Sequence, residues 1–103
     1  MQTKIILEFQ HFHGCPNGPK LLKNVKKAIE GMTDVEFVET IVDTDEKAKK
    51  YRFRGSPTLL INGNDLEGLE APENPSLTCR FYPKGLPNPE YIRLKITEAK
   101  KIE

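Results

Sequence analysis

The chain has 103 residues with 16 basic and 15 acidic side chains, which gives a formal net charge of +1. This size predicts one domain over residues 1–103, whose core is large enough to be stable without a metal ion or a disulfide. The near balance of charge argues against nucleic acid or an anionic membrane surface as the main partner. No apolar run approaches the roughly 18 residues of a membrane span, and no signal-peptide pattern opens the sequence, so we expect a cytoplasmic protein.

The first part of the chain predicts a strand, a helix and a second strand. Residues 3–9 are rich in Ile, Leu and Phe, which indicates a buried strand. After a polar loop over 10–18 comes a helix, with Pro19 in its first turn and Gly31 as its stop. Its apolar face repeats at helical spacing and comprises Leu21, Leu22, Val25, Ala28, Ile29 and Met32. Residues 35–42 predict the second strand.

A short helix and a hairpin follow. Asp43 is expected to cap the helix, with Glu46 as the reciprocal capping acid. Residues 58–61 predict a third strand, and Asn62-Gly63 is a strong signal for a type I′ turn. Residues 65–68 then predict a short fourth strand.

A long irregular segment and a final helix complete the chain. Residues 69–86 contain three prolines, and loops of that length are usually functional or mobile. Asn88 is expected to cap the last helix, with Pro89 at its first position. Its inward face comprises Tyr91, Ile92, Ile96 and Ala99. We therefore expect an α/β fold of order β-α-β-α-β-β-α, whose four-stranded mixed sheet carries helices on both faces. Its first two strands should be parallel and its last two antiparallel.

Three motifs in this order resemble the thioredoxin superfamily, and within it the small bacterial thioredoxin-like proteins with a single-cysteine G-C-P-N motif. They are G-C-P-N at 14–17, S-P-T-L-L-I-N-G at 56–63 and C-R-F-Y at 79–82. The resemblance implies a thioredoxin-like fold and thiol-based redox chemistry. The chain departs from dithiol oxidoreductases because residues 15–18 are C-P-N-G, so the resolving cysteine of C-x-x-C is missing.

Cys15 is the first candidate for a catalytic residue. A thiol at a helix N-terminus faces unpaired N–H groups and the positive end of the helix dipole, which lower its pKa and favour the reactive thiolate. His11 or His13 would assist by holding positive charge nearby. We expect Cys15 to be more acidic and more reactive than Cys79. The alternative is a half-buried cysteine with no chemical task.

Cys79 is the second catalytic candidate, and three hypotheses for it stay open. It resolves Cys15 by forming a disulfide, it joins Cys15 as a second soft-metal ligand, or it is a buried apolar cysteine. The separation of 64 residues decides nothing, because a disulfide requires only that the two Cα atoms lie within roughly 7 Å. We expect Phe81 and Tyr82 to pin the long loop and to shield Cys79.

Ser56 and Pro57 are the substrate-binding candidates. The resemblance implies that Pro57 is the family's cis-proline beside Cys15 and that the backbone of Ser56 is presented to a substrate. An ordinary trans proline that opens a strand is the alternative.

His11, His13 and Cys15 are candidate metal ligands, since alternate residues of an extended segment project to the same side. Zinc or copper would accept these ligands. The predicted helix start at Cys15 breaks the alternation, and no fourth ligand has a diagnostic spacing. We therefore expect two solvated loop histidines, no metal and no cofactor.

Two functions follow from these residues. In the first, Cys15 attacks a disulfide or is capped by a small thiol, and Cys79 or an external thiol resolves the adduct. The partner is then a disulfide- or thiol-bearing protein or a small thiol, and the protein is a monomeric thiol–disulfide oxidoreductase without the C-x-x-C resolving cysteine. In the second, the chain is a non-catalytic thiol module that binds a soft metal such as mercury or copper, or a partner protein.

Overall fold

The computed structural model describes residues 4–102 and has the predicted element order. The strands are β1 (Ile5–His11), β2 (Val35–Ile41), β3 (Thr58–Ile61) and β4 (Asn64–Asp65), and the helices are α1 (Asn17–Ala28), α2 (Asp45–Tyr51) and α3 (Pro89–Ile102). Thr3, the predicted first residue of the first strand, lies outside the described residues. Over the described range, no helix combines the length and apolarity needed to cross a membrane.

The four strands form one mixed sheet in the order β2-β1-β3-β4. β1 is parallel to β2, with Ile5 opposite Val35, and antiparallel to β3. β3 and β4 form an antiparallel hairpin. Its turn residues Asn62 and Gly63 both have positive φ, 50° and 85°, as a type I′ turn requires. The predicted mixed sheet and its strand directions are confirmed.

The main core lies on one face of the sheet. Alternate residues of β1 point to this face, so Ile5, Leu7 and Phe9 are fully buried. α1 and α3 cover them with Leu21, Val25, Ala28, Ile92 and Ile96. Burying each large side chain contributes about 1.5–3 kcal/mol. α2 packs elsewhere, in a smaller cluster around Val42, Ala48 and Phe53.

Two predicted boundaries near the first loop are wrong. β1 extends to His11 because Gln10 and His11 continue the pairing with β2. α1 begins at Asn17, with Pro16 as its N-cap, and ends at Ala28. This start lies before the end of the predicted loop over 10–18 and after Cys15, where the active-site argument had expected the helix to begin. Cys15 therefore lies outside the helix and directly precedes its N-cap.

Two other local predictions are also corrected. Thr44, not Asp43, caps α2, because its extended backbone lets its hydroxyl accept the N–H of Lys47 at 3.1 Å. Asp43 binds the Lys47 ammonium instead, also at 3.1 Å. β4 ends at Asp65 because the carboxylate of Asp65 accepts the N–H groups of Glu67 and Leu69 and thereby turns the chain.

Candidate active site

The two cysteines form a disulfide. The Sγ atoms of Cys15 and Cys79 are 2.10 Å apart and their Cα atoms 5.8 Å apart, across a separation of 64 residues. The disulfide that the first of the three hypotheses for Cys79 requires is therefore present, and the resolving role itself stays a prediction. The long segment over residues 69–86 brings Cys79 to the loop between β1 and α1.

Cys15 is buried at the entrance to α1. Its exposed fraction is 4 %, and its carbonyl accepts the N–H of Gly18 at 3.1 Å. The first turn of α1 contains no acidic side chain. The positive end of the helix dipole is therefore not offset there, and it would stabilise a negative charge on Cys15.

A pocket of about 410 Å³ adjoins Cys15, and its lining includes His11, His13, Leu22 and Glu39. His11 is 8 % exposed, and its Nε2 lies 2.6 Å from Glu39 Oε2. His13 is exposed, and its ring lies 5.9 Å from that of His11. The prediction of two solvated loop histidines is thus wrong for His11, which is the last residue of β1.

The candidate metal ligands His11, His13 and Cys15 do not form a metal site in this pocket. In the part of the chain that the structure describes, no group of three or more His, Cys, Asp or Glu residues is placed to hold a metal ion. The sulfur of Cys15 is bonded to Cys79. His11 directs Nε2 to Glu39.

Ser56 holds the segment that carries Cys79. The N–H of Ser56 donates to the carbonyl of Thr78, and the N–H of Arg80 donates to the carbonyl of Ser56, both at 2.8 Å. Ser56 and Cys79 thus form an isolated parallel bridge. The Ser56 hydroxyl accepts the N–H of Phe12 at 3.1 Å, next to the loop of Cys15. The backbone groups assigned to a substrate by resemblance are occupied by the chain itself.

The Ser56–Pro57 peptide bond is cis, as the resemblance implied. The carbonyl of Pro57 accepts a hydrogen bond of 2.6 Å from the hydroxyl of Tyr82. Ser56 and Pro57 therefore both contact the segment that follows the long loop. Ser56 is linked to Cys15 indirectly, because it pairs with the backbone of Cys79, which is bonded to Cys15 by the disulfide.

Tyr82 and Phe81 behave differently from each other. Tyr82 is 8 % exposed, and burial raises the pKa of its hydroxyl to about 12. Its predicted role in pinning the loop is confirmed. Phe81 is 80 % exposed and pins nothing. Cys79 is itself exposed, so the predicted shielding by Phe81 and Tyr82 is wrong.

An ion pair that the sequence analysis missed anchors the same segment. The side chains of Arg80 and Asp65 are only 7 % and 1 % exposed, and Arg80 also donates to the hydroxyl of Thr58 at 3.2 Å. The guanidinium lies 4.7 Å from the centre of the Tyr82 ring. Asp65 and Arg80 are 15 positions apart in the sequence, and no local sequence pattern indicates that they form an ion pair.

Comparison with known proteins adds information on the fold. No family model and no curated protein matches the chain. A solved structure, HBP35 of Porphyromonas gingivalis, is similar with a TM-score of 0.61 and 17% sequence identity, over 95% of this chain and 33% of that one. The chain thus spans about a third of the length of that protein. At this identity the likeness supports an α/β fold and carries no function.

Proposed function

We propose that this chain is a thioredoxin-like thiol–disulfide exchange protein whose redox pair is Cys15 and Cys79. The observation that carries the proposal is their disulfide at the entrance to α1, with Cys79 paired to Ser56 beside a cis-proline. The thioredoxin-like assignment, with helices on both faces of the sheet, is supported by the element order and the motifs. The α/β likeness to HBP35 agrees with it.

In this proposal Cys79 supplies the second thiol that C-x-x-C would contain. The reduced chain transfers two electrons and two protons to a partner disulfide. The partner becomes two thiols, and the Cys15–Cys79 bond forms. The reverse exchange oxidises a partner dithiol and leaves both cysteines as thiols.

The surroundings of Cys15 favour this chemistry. The start of α1 stabilises the Cys15 thiolate. His11 lines the same pocket as Cys15, and Glu39 engages its Nε2. We assign His11, whose ring is held by Glu39, the role of proton acceptor for Cys15 in this pocket.

The test is a redox titration of the full chain against mixtures of reduced and oxidised glutathione, followed by alkylation and mass measurement. We expect wild-type protein to interconvert between a dithiol, which takes up two alkyl labels, and an intramolecular disulfide, which takes up none. Reduced wild-type protein should convert one glutathione disulfide into two glutathione molecules. The matched variants Cys15→Ser and Cys79→Ser should stop at the mixed disulfide. A folded wild-type chain that forms no internal disulfide would refute the proposal.

The proximity of the two sulfurs also supports the alternative of a non-catalytic module for a soft metal. Once the disulfide is reduced, the two neighbouring thiolates can supply both ligands of a two-coordinate soft ion. In that case the reduced chain binds one mercuric ion tightly, and both serine variants lose this binding. Under this alternative, the reduced wild-type chain would react with glutathione disulfide no faster than an unfolded chain does. A faster reaction of the folded chain would favour the exchange function instead.

A further inference from the structure

We infer that the partner's sulfur bonds to Cys79, and that Cys15 is the internal resolving thiol. This inference rests on the proposed function and specifies its chemistry. It reverses the order expected from the sequence, in which Cys15 attacks first and Cys79 resolves. Three observations support it. The two cysteines are unequally exposed, the start of α1 stabilises negative charge on Cys15, and Arg80 is already paired with Asp65.

Exposure distinguishes the two ends of the disulfide. Cys15 is only 4 % exposed, whereas Cys79 is exposed. Thr78 and Phe81, which flank Cys79 closely in the sequence, are exposed as well. The attacking thiolate must approach one sulfur from the side opposite the other sulfur. Because access controls the rate of exchange, a protein or small thiol reaches Cys79 more readily.

The leaving group favours the same direction. When Cys79 is attacked, Cys15 departs as a thiolate at the entrance to α1, where the first turn has no acidic side chain. The helix dipole stabilises this charge, and the better stabilised thiolate leaves faster.

A departing Cys79 thiolate would lack comparable support. Its adjacent cation is Arg80, whose guanidinium already donates to both carboxylate oxygens of Asp65 and to the hydroxyl of Thr58. The charge of Arg80 is therefore offset by Asp65. Attack on Cys15 would thus be slower on both counts, access and leaving group.

The oxidation of a partner dithiol takes two exchange steps. A partner thiolate attacks Sγ of Cys79, the Cys15–Cys79 bond breaks, and Cys15 leaves as a thiolate. A second partner thiol, as its thiolate, then attacks the partner sulfur of the mixed disulfide and releases Cys79 as a thiolate. The partner dithiol has lost two electrons to form its disulfide, and both cysteines of this chain take up protons. In reverse, Cys79 attacks the partner disulfide and Cys15 resolves the adduct.

The experiment identifies which cysteine carries the first adduct. The oxidised full chain is mixed briefly with reduced glutathione, quenched with acid, and alkylated with N-ethylmaleimide before digestion. Cleavage after Lys20, Arg54 and Arg80 places the two cysteines on separate peptides. We expect glutathione on Cys79 and maleimide on Cys15, with about a tenfold excess over the opposite arrangement. The same reaction in denaturant should bring this ratio close to one.

The outcomes separate this inference from the proposed function. An adduct mainly on Cys15, or the same ratio in native and denatured protein, overturns the inference and leaves the exchange function standing. The absence of any adduct in the folded chain overturns both. A Cys79 excess that disappears on unfolding supports both.

Discussion

The backbone of Arg80 passes so close to Gly55 that a Cβ atom at residue 55 would lie 2.9 Å from the Cβ and 3.2 Å from the Cα of Arg80. Gly55 also has a φ of +107°, which L side chains rarely adopt. This contact lies next to the bridge between Ser56 and Cys79. Gly55 therefore lets the disulfide-bearing segment approach the sheet.

Gly55→Ala is expected to lower the free energy of unfolding by about 3 kcal/mol, because backbone strain and a backbone clash add together. The matched control is Gly14→Ala, since Gly14 has a φ of +111° and no atom within 4 Å of the added Cβ. It should cost about 1–2 kcal/mol. Urea unfolding of the oxidised proteins measures both. Equal losses would show that the approach of Arg80 is unimportant.

Asp65→Asn is expected to destabilise the chain by about 3 kcal/mol, because it leaves the buried Arg80 guanidinium without its charged partner. The two oxygens of Asp65 accept from Arg80 at 2.6 and 3.0 Å. Lys47→Met is the control, since it breaks the solvent-exposed pair with Asp43. That change should cost less than about 1 kcal/mol. The prediction fails in chemical denaturation if the two variants lose similar stability.

The same aspartate should make the protein acid-sensitive. Burial by itself raises the pKa of Asp65, but hydrogen bonds from Arg80 and from the N–H groups of Leu69 and Glu67 outweigh burial, so this pKa is lowered. A lowered pKa in the folded state contributes stability above the unfolded value of about 4, and that stability is lost as pH falls through the folded value. The stability difference between wild type and Asp65→Asn should therefore shrink as the pH falls below the unfolded value of about 4. A difference that stays constant with pH would contradict this.

Tyr82 should have the opposite effect at alkaline pH. Burial raises the pKa of Tyr82 to about 12, so the folded chain favours the neutral phenol. This stability is complete below the ordinary value of about 10 and is lost as pH rises toward 12, by on the order of 3 kcal/mol. Tyr82→Phe removes the bond to Pro57 and should cost about 1 kcal/mol at neutral pH. Its stability should then fall less than that of wild type above pH 10.

Reduction of the disulfide is expected to lower the free energy of unfolding by about 4 kcal/mol, because the bond closes a loop across 64 residues in the unfolded chain. Denaturation of the oxidised and reduced wild type measures this difference. The double variant Cys15→Ser/Cys79→Ser should resemble the reduced chain and should not respond to reductant. A reductant effect in that variant would point to another cause.

Much of the fold could be predicted from neighbouring residues alone. Apolar periodicity located α1 and α3, and the Asn62-Gly63 turn located the hairpin, where both residues have positive φ. Asn88 caps α3 by accepting the N–H of Tyr91 at 2.8 Å. The misplaced cap of α2 and the early start of α1 are errors of one or two residues, because several polar residues or prolines there compete for the same role.

The α/β element order, the mixed sheet and Cys15 as a candidate site residue could be predicted from the amino-acid sequence, because periodicity, turn geometry and caps act within a few residues. The folded chain was needed to show that Cys79 meets Cys15, that Arg80 meets Asp65, and that Cys15 is buried while Cys79 is exposed. The two members of the Arg80–Asp65 pair are 15 positions apart in the sequence, and those of the Cys15–Cys79 pair are 64 positions apart. They depend on where the long loop returns to the sheet, and the burial of a side chain is a property of all the elements packed around it, which no local pattern encodes.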